Sequence, residues 1–86
     1  MAKTKSLRQP SLRLRQLLAD NIREYRHAHG LSQENLADKC GLHRTYVGSV
    51  ERGERNVTLS TLEVFATVLG IPVSELLTKK PPKHGR

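Results

Sequence analysis

Four glycines divide the middle of this chain into short lengths, and each follows a stretch whose apolar residues recur at three- and four-residue steps. Gly30 closes a stretch from about Leu12 to His29, where Leu14, Leu18, Ile22 and Tyr25 share a face and Arg13, Arg15, Arg23, Glu24 and Arg26 fall mostly on others. Gly41 stops a second, from Gln33 to Lys39 or Cys40, with Ser32 as its N-cap and Leu36, Ala37 and Cys40 facing inward. A third, from about Arg44 to Arg52, puts Val47 and Val50 on one side before Gly53. Gly70 ends a fourth, whose inward stripe is Leu62, Phe65, Ala66 and Leu69.

The helical period predicts an all-α fold. Ser60-Thr61-Leu62-Glu63 reads as a capping box at the start of the fourth helix. Pro72 fits the first turn of a fifth helix that runs to about Leu77. Residues 1–11 are expected to be a flexible basic arm, with Ser11 capping the first helix. Residues 12–78 form one five-helix domain, with a helix-turn-helix at about 33–52, and 79–86 are a basic disordered tail that Pro81-Pro82 keep from continuing the last helix.

At 86 residues there is room for one small core and no separate catalytic cleft. One Phe, two Tyr and no Trp leave that core to Leu, Ile, Val and Ala. No run is long and apolar enough to span a membrane, and the first residues lack a signal peptide's apolar centre, so a cytoplasmic protein is expected. Cys40 has no second cysteine to bridge and no Cys or His at zinc-ligand spacing, and reads as a small buried apolar residue. No metal site or cofactor is expected, no small-molecule ligand is evident, and neither His27 with His29 nor Cys40 with His43 makes a catalytic set.

The formal charge of +7 suits a nucleic-acid ligand, but it sits at the ends. Residues 1–19 and 79–86 carry Lys3, Lys5, Arg8, Arg13, Arg15, Lys79, Lys80, Lys83 and Arg86 and no acid, whereas 20–78 is net negative. Bulk charge therefore decides little, and the case for DNA rests on positions.

The segment from Leu31 to Gly41, with Ser32-Gln33-Glu34, Ala37 and Gly41, followed by Val47, Val50 and Glu51-Arg52-Gly53, resembles the Cro and lambda-repressor-like helix-turn-helix superfamily. The resemblance spans roughly residues 18–78. It implies a compact lambda-repressor-like domain, bacterial or phage in origin, whose second helix of the motif enters the major groove of double-stranded DNA. It also implies a structural ion pair between Arg26 and Glu51, and a phosphate contact from Gln33 at the start of the second helix. His43-Arg44-Thr45-Tyr46-Val47 with Glu51-Arg52-Gly53-Glu54-Arg55-Asn56 is similar, more narrowly, to the controller proteins of restriction-modification systems. That likeness implies a small homodimer acting on operators upstream of its own and the endonuclease gene, as activator or repressor. Phage, plasmid and antitoxin-type regulators share the same words.

With Val47 and Val50 inward, the helical period turns Arg44, Thr45, Gly48 and Ser49 toward the groove. Arg44 suits guanine O6 and N7, Thr45 a base or thymine methyl, and Ser49 a base edge or phosphate. Gly48 either removes a side chain at the closest approach to the bases or is simply a tolerated helix glycine. His43 stands at the cap of the recognition helix and reaches for a phosphate, Tyr46 offers a hydroxyl or packs, and Arg52, Arg55 and Asn56 clamp phosphates. Val64 and Val68 occupy a second face of the fourth helix and, with Ile71, Val73 and Leu77, form the expected dimer surface, unless the fifth helix covers them within one subunit. A protein-interaction module that kept this fold would carry an apolar or acidic outward face on the third helix, against which Arg44, Thr45 and Ser49 argue.

Overall fold

Ser11 opens the first helix. Its hydroxyl accepts the Leu14 amide proton at 3.0 Å and supplies a partner for one of the donors a helix start leaves free. The computed structural model describes residues 8–80, and in it this helix, α1, spans Leu12–Ala28. α2 (Gln33–Cys40) begins with a reciprocal cap: Ser32 Oγ accepts the Asn35 amide at 2.9 Å and Asn35 Oδ1 accepts the Ser32 amide at 3.3 Å. Gly41 then adopts φ 70°, ψ 31°, and the Leu42 amide returns to the Ala37 carbonyl at 2.9 Å. A residue with a Cβ would be strained in that left-handed turn, which delivers the chain to α3 (Arg44–Glu51) after only two more residues.

α4 (Leu59–Leu69) does not begin where the capping-box reading placed it. Thr58 is its N-cap, with Oγ1 accepting the Thr61 amide at 3.2 Å, and Ser60 lies inside the first turn, its hydroxyl 3.1 Å from that of Thr58. Thr58 and Ser60 are both good caps by type, and a cap needs its acceptor three residues before a free amide, which Thr58 has toward Thr61. Pro72 is likewise the N-cap of α5 (Val73–Leu76) rather than part of its first turn.

The core holds Leu18, Ile22, Leu36, Ala37, Val47, Val50, Leu62, Phe65, Ala66, Leu69 and Leu76, drawn from all five helices. Leu14, expected inside, is 41% exposed, because α1 meets the core only from Leu18 onward. Cys40 is half-buried on its flank, and that burial raises its thiol above the ordinary value.

Asn21 is buried on the core side of α1. Its amide donates to the carbonyls of Leu76 at 2.9 Å and Thr78 at 3.1 Å, and so satisfies acceptors that a four-residue helix leaves open. Tyr25 donates its hydroxyl to Glu75 at 3.0 Å, and Lys80 Nζ sits 3.6 Å from the Tyr25 ring centroid and 3.5 Å from Glu24. The chain is thus held against α1 as far as Lys80, further than the expected end of the domain at 78. The remainder of the proposed arm and tail, 1–7 and 81–86, lies outside the described residues. Among the described residues there is no strand, and no helix is long and apolar enough to cross a membrane.

Candidate nucleic-acid interface

Glu51, at the end of α3, is the point at which three helices are tied together. Arg26 of α1 meets it through two parallel contacts, Nε to Oε2 at 2.7 Å and Nη2 to Oε1 at 3.0 Å, with the side chains 10% and 2% exposed. The same guanidinium donates to the Leu31 carbonyl at 2.9 Å, at the entry to α2. Gln33 of α2 donates its amide to Glu51 Oε1 at 3.1 Å, and Arg23 donates to the Glu51 carbonyl. A buried charge pair with its remaining donors satisfied adds little net stability over an apolar substitute, but it punishes the loss of either partner. Its effect here is to fix the azimuth of α3 about its own axis.

That azimuth decides what faces outward. Val47 and Val50 point into the core, and Arg44 and Thr45 stand exposed in the first turn. His43 caps the helix by position only, since its side chain makes no capping bond and remains exposed. Tyr46 is half-buried at the edge.

Two residues read as groove-facing are turned elsewhere. Gly48 is buried: a Cβ there would lie 3.3 Å from Arg52 Nη1 and 3.6 Å from Gln33 Oε1. Its missing side chain leaves room for those two residues over α3. Ser49 is 5% exposed, with its hydroxyl donating to the Tyr46 carbonyl at 2.7 Å and accepting from Arg55 Nε at 2.8 Å. The helical period alone misplaces Ser49 because the loop after α3 folds back over that flank and covers it.

Along that loop, Arg52 forms a fork with Glu54, Nε to Oε2 at 3.0 Å and Nη2 to Oε1 at 3.3 Å. The hydrogen bond from Arg52 and its charge hold the Glu54 carboxyl below its ordinary value, and Glu54 in turn raises that of Arg52. Arg55 stacks over the Tyr46 ring, with Cζ 5.2 Å from the centroid, and Asn56 is exposed beside it. Gln33 and Arg52 thus flank Gly48, Arg55 flanks Ser49 and Tyr46, and Arg44 and Thr45 stand exposed at the start of the same helix.

On α4 Val64 is 37% exposed, and Val68 of α4, Ile71 between the helices, Val73 of α5 and Leu77 at its end pack partly against the core. An open groove runs along Val64, Thr67, Val68, Ile71 and Val73. α5 thus covers part of the expected pairing surface within the subunit and leaves the rest open.

Asn21 and Arg23 escaped the sequence reading. Asn21 carried a usable signal, a polar side chain three residues after Leu18 and four before Tyr25, on the buried stripe. Arg23 shows in the sequence only its i,i+3 pairing with Asp20, and nothing local points to the distant Glu51 carbonyl that it also reaches.

A short helix held rigidly at its back, with an arginine and a threonine free at its front and a glycine turn leading in, is the geometry of a helix-turn-helix reading head. The helix-turn-helix family profile matches residues 22–76, and the chain belongs to that family. It is a DNA-binding transcriptional regulator. Among its relatives, control protein C.SmaI of Serratia marcescens is 55% identical over 71 residues, 83% of this chain and 84% of that one. Among solved structures, the restriction-modification controller protein C.AhdI from Aeromonas hydrophila is 50% identical at a TM-score of 0.70, over 72% of this chain and 94% of that one. The biofilm master regulator SinR, solved in complex with DNA, is 34% identical at a TM-score of 0.68, over 71% of this chain and 98% of that one.

Proposed function

We propose that this chain is a restriction-modification controller that binds a palindromic operator as a symmetric homodimer, each subunit placing the first turn of α3 in the major groove. The observation that carries this reading is the contrast between the faces of α3: Val47, Val50 and Glu51 are committed inward, and Arg44 and Thr45 are exposed. Arg44 presents its fork to a guanine and Thr45 contacts the neighbouring base or a thymine methyl. Gln33 with the free amides of the first turn of α2, His43, the Tyr46 hydroxyl, Arg52, Arg55 and Asn56 hold flanking phosphates. One reading head contacts too few bases for useful specificity, so two subunits pair through the open part of the α4–α5 face, around Val64, Val68, Ile71 and Val73, with Leu77 at its margin. The likeness to proteins named as controllers supports the restriction-modification role.

Selection of bound duplexes from random DNA tests the reading. The expected product is a palindrome whose half-sites lie about one helical turn apart, recurring upstream of the chain's own gene. Repeating the selection with Arg44→Ala is expected to relax one base pair per half-site, with a loss of about 1 to 3 kcal/mol on the original operator. A uniform loss across all sequences would make Arg44 a phosphate contact, and enrichment of isolated half-sites would remove the dimer.

A further inference from the structure

Ser49 is the one hydroxyl on α3 that the fold withdraws from the groove, and it does not stand idle there. It has a single proton, and that proton is given to the Tyr46 carbonyl at 2.7 Å. Its oxygen can then only accept, and what it accepts is the Nε–H of Arg55 at 2.8 Å. The guanidinium so placed lies over the Tyr46 ring, 5.2 Å from its centroid, within the range where an aromatic face holds a cation. The carboxylate next to Arg55 in the chain, Glu54, is occupied by the fork of Arg52. With Nε taken by Ser49, the two terminal nitrogens of Arg55 keep their four N–H donors for another partner.

We propose that Ser49 is a positioning residue: it fixes the rotamer of Arg55 against Tyr46 before DNA arrives, so that the arginine and the ring meet the duplex as one preformed unit. The inference rests on the placement of α3 in the groove and deepens it. An arginine that must be ordered on binding loses rotamer freedom at that moment, whereas one already ordered does not, and the difference appears as affinity for the operator. No charge is added or removed by Ser49, so its effect leaves the salt dependence of binding unchanged.

The test is a double-mutant cycle of Ser49→Ala and Arg55→Ala, read as affinity for the selected operator, with thermal unfolding followed in parallel. Ser49→Ala is expected to weaken operator binding on the order of tenfold, the effect of one hydrogen bond to a charged group, and to change nothing further once Arg55→Ala is present. Arg55→Lys keeps the surface charge but has neither the Nε donor nor the planar fork; it is expected to show the same loss with an unaltered salt slope, even if Ser49→Ala should fail to fold. Equal losses from Ser49→Ala in both backgrounds would make Ser49 merely structural and overturn the proposal. So would operator binding by Arg55→Lys indistinguishable from the parent. If Arg55→Ala weakens binding and Ser49→Ala does not, only the positioning role fails; if the operator is bound equally well without the Arg55 side chain, its assignment as a DNA contact fails too.

Discussion

Arg26 and Glu51 illustrate how much a single contact can set in a domain of this size. Truncating either to alanine leaves the other as a buried, unpaired charge, and a cost of about 3 to 5 kcal/mol is expected, a large fraction of the whole stability of a small domain. Urea titration of Glu51→Ala and Arg26→Ala checks it: losses below about 1 kcal/mol would mean that water reaches the pair. Arg52 and Glu54 offer the opposite case, a solvent-exposed pair in which the carboxyl is lowered by its arginine partner. Because its value in the folded chain is depressed, the pair is intact above the ordinary carboxylate range and opens as pH falls through the lowered value. In an NMR titration Glu54 is expected to have its midpoint below that of an unpaired glutamate such as one in a short peptide, and Arg52→Ala to raise it toward the ordinary range, with the neighbouring charge of Arg55 still lowering it. A Glu54 midpoint unmoved by Arg52→Ala would show that the fork does not persist in solution.

At the scale of elements, the start of α4 separates what the sequence displays from what it conceals. Thr58→Ala removes the observed cap and is expected to cost about 1 kcal/mol, whereas Ser60→Ala should stay within about 0.5 kcal/mol. Equal costs in thermal unfolding would mean that both hydroxyls share the role. The caps at Ser11 and Ser32 and the turn at Gly41 were legible because each is decided within a few residues: a polar cap, an apolar period, a glycine to stop it. Thr58 and Ser60 were not separable that way, since both suit a cap by type and the choice falls to the frame in which Leu62, Phe65 and Leu69 reach the core. Leu14 and Ser49 were misread for a related reason. Periodicity gives the face of a helix but not what lies opposite it, and here the core stops short of Leu14 while the loop carrying Arg55 closes over Ser49. The motif and the exposure of Arg44 and Thr45 were legible in the sequence, and the ion pair followed from the resemblance; the web joining Ser49, Tyr46 and Arg55 depends on a chain reversal that no local pattern encodes.

For the whole molecule, the proposed pairing face carries the sharpest prediction. Val68 and Ile71 pack partly on the core, so charging them would disturb the fold along with any interface; Val64 is exposed and separates the two. Val64→Glu is expected to leave the melting of the isolated subunit nearly unchanged while shifting sedimentation equilibrium toward monomer and weakening the full operator more than a half-site. A parent protein that remains monomeric at tens of micromolar would remove the dimer itself.

The grip of Asn21 on the end of α5, and of Arg26 on the end of α3, has a consequence for measurement along the DNA. Both residues belong to α1, about 7.5 Å apart along its axis, little more than one turn of a single stiff rod. No flexible link therefore separates the edge proposed to pair two subunits from the helix proposed to read bases. A dimer built from such subunits would be a ruler of fixed length. One base pair inserted between half-sites displaces the second by about 3.4 Å and turns it by roughly 34° about the duplex axis. A jointed protein would absorb that change, but this one is expected to lose the second half-site altogether, and its affinity should fall to that of a single subunit on a single half.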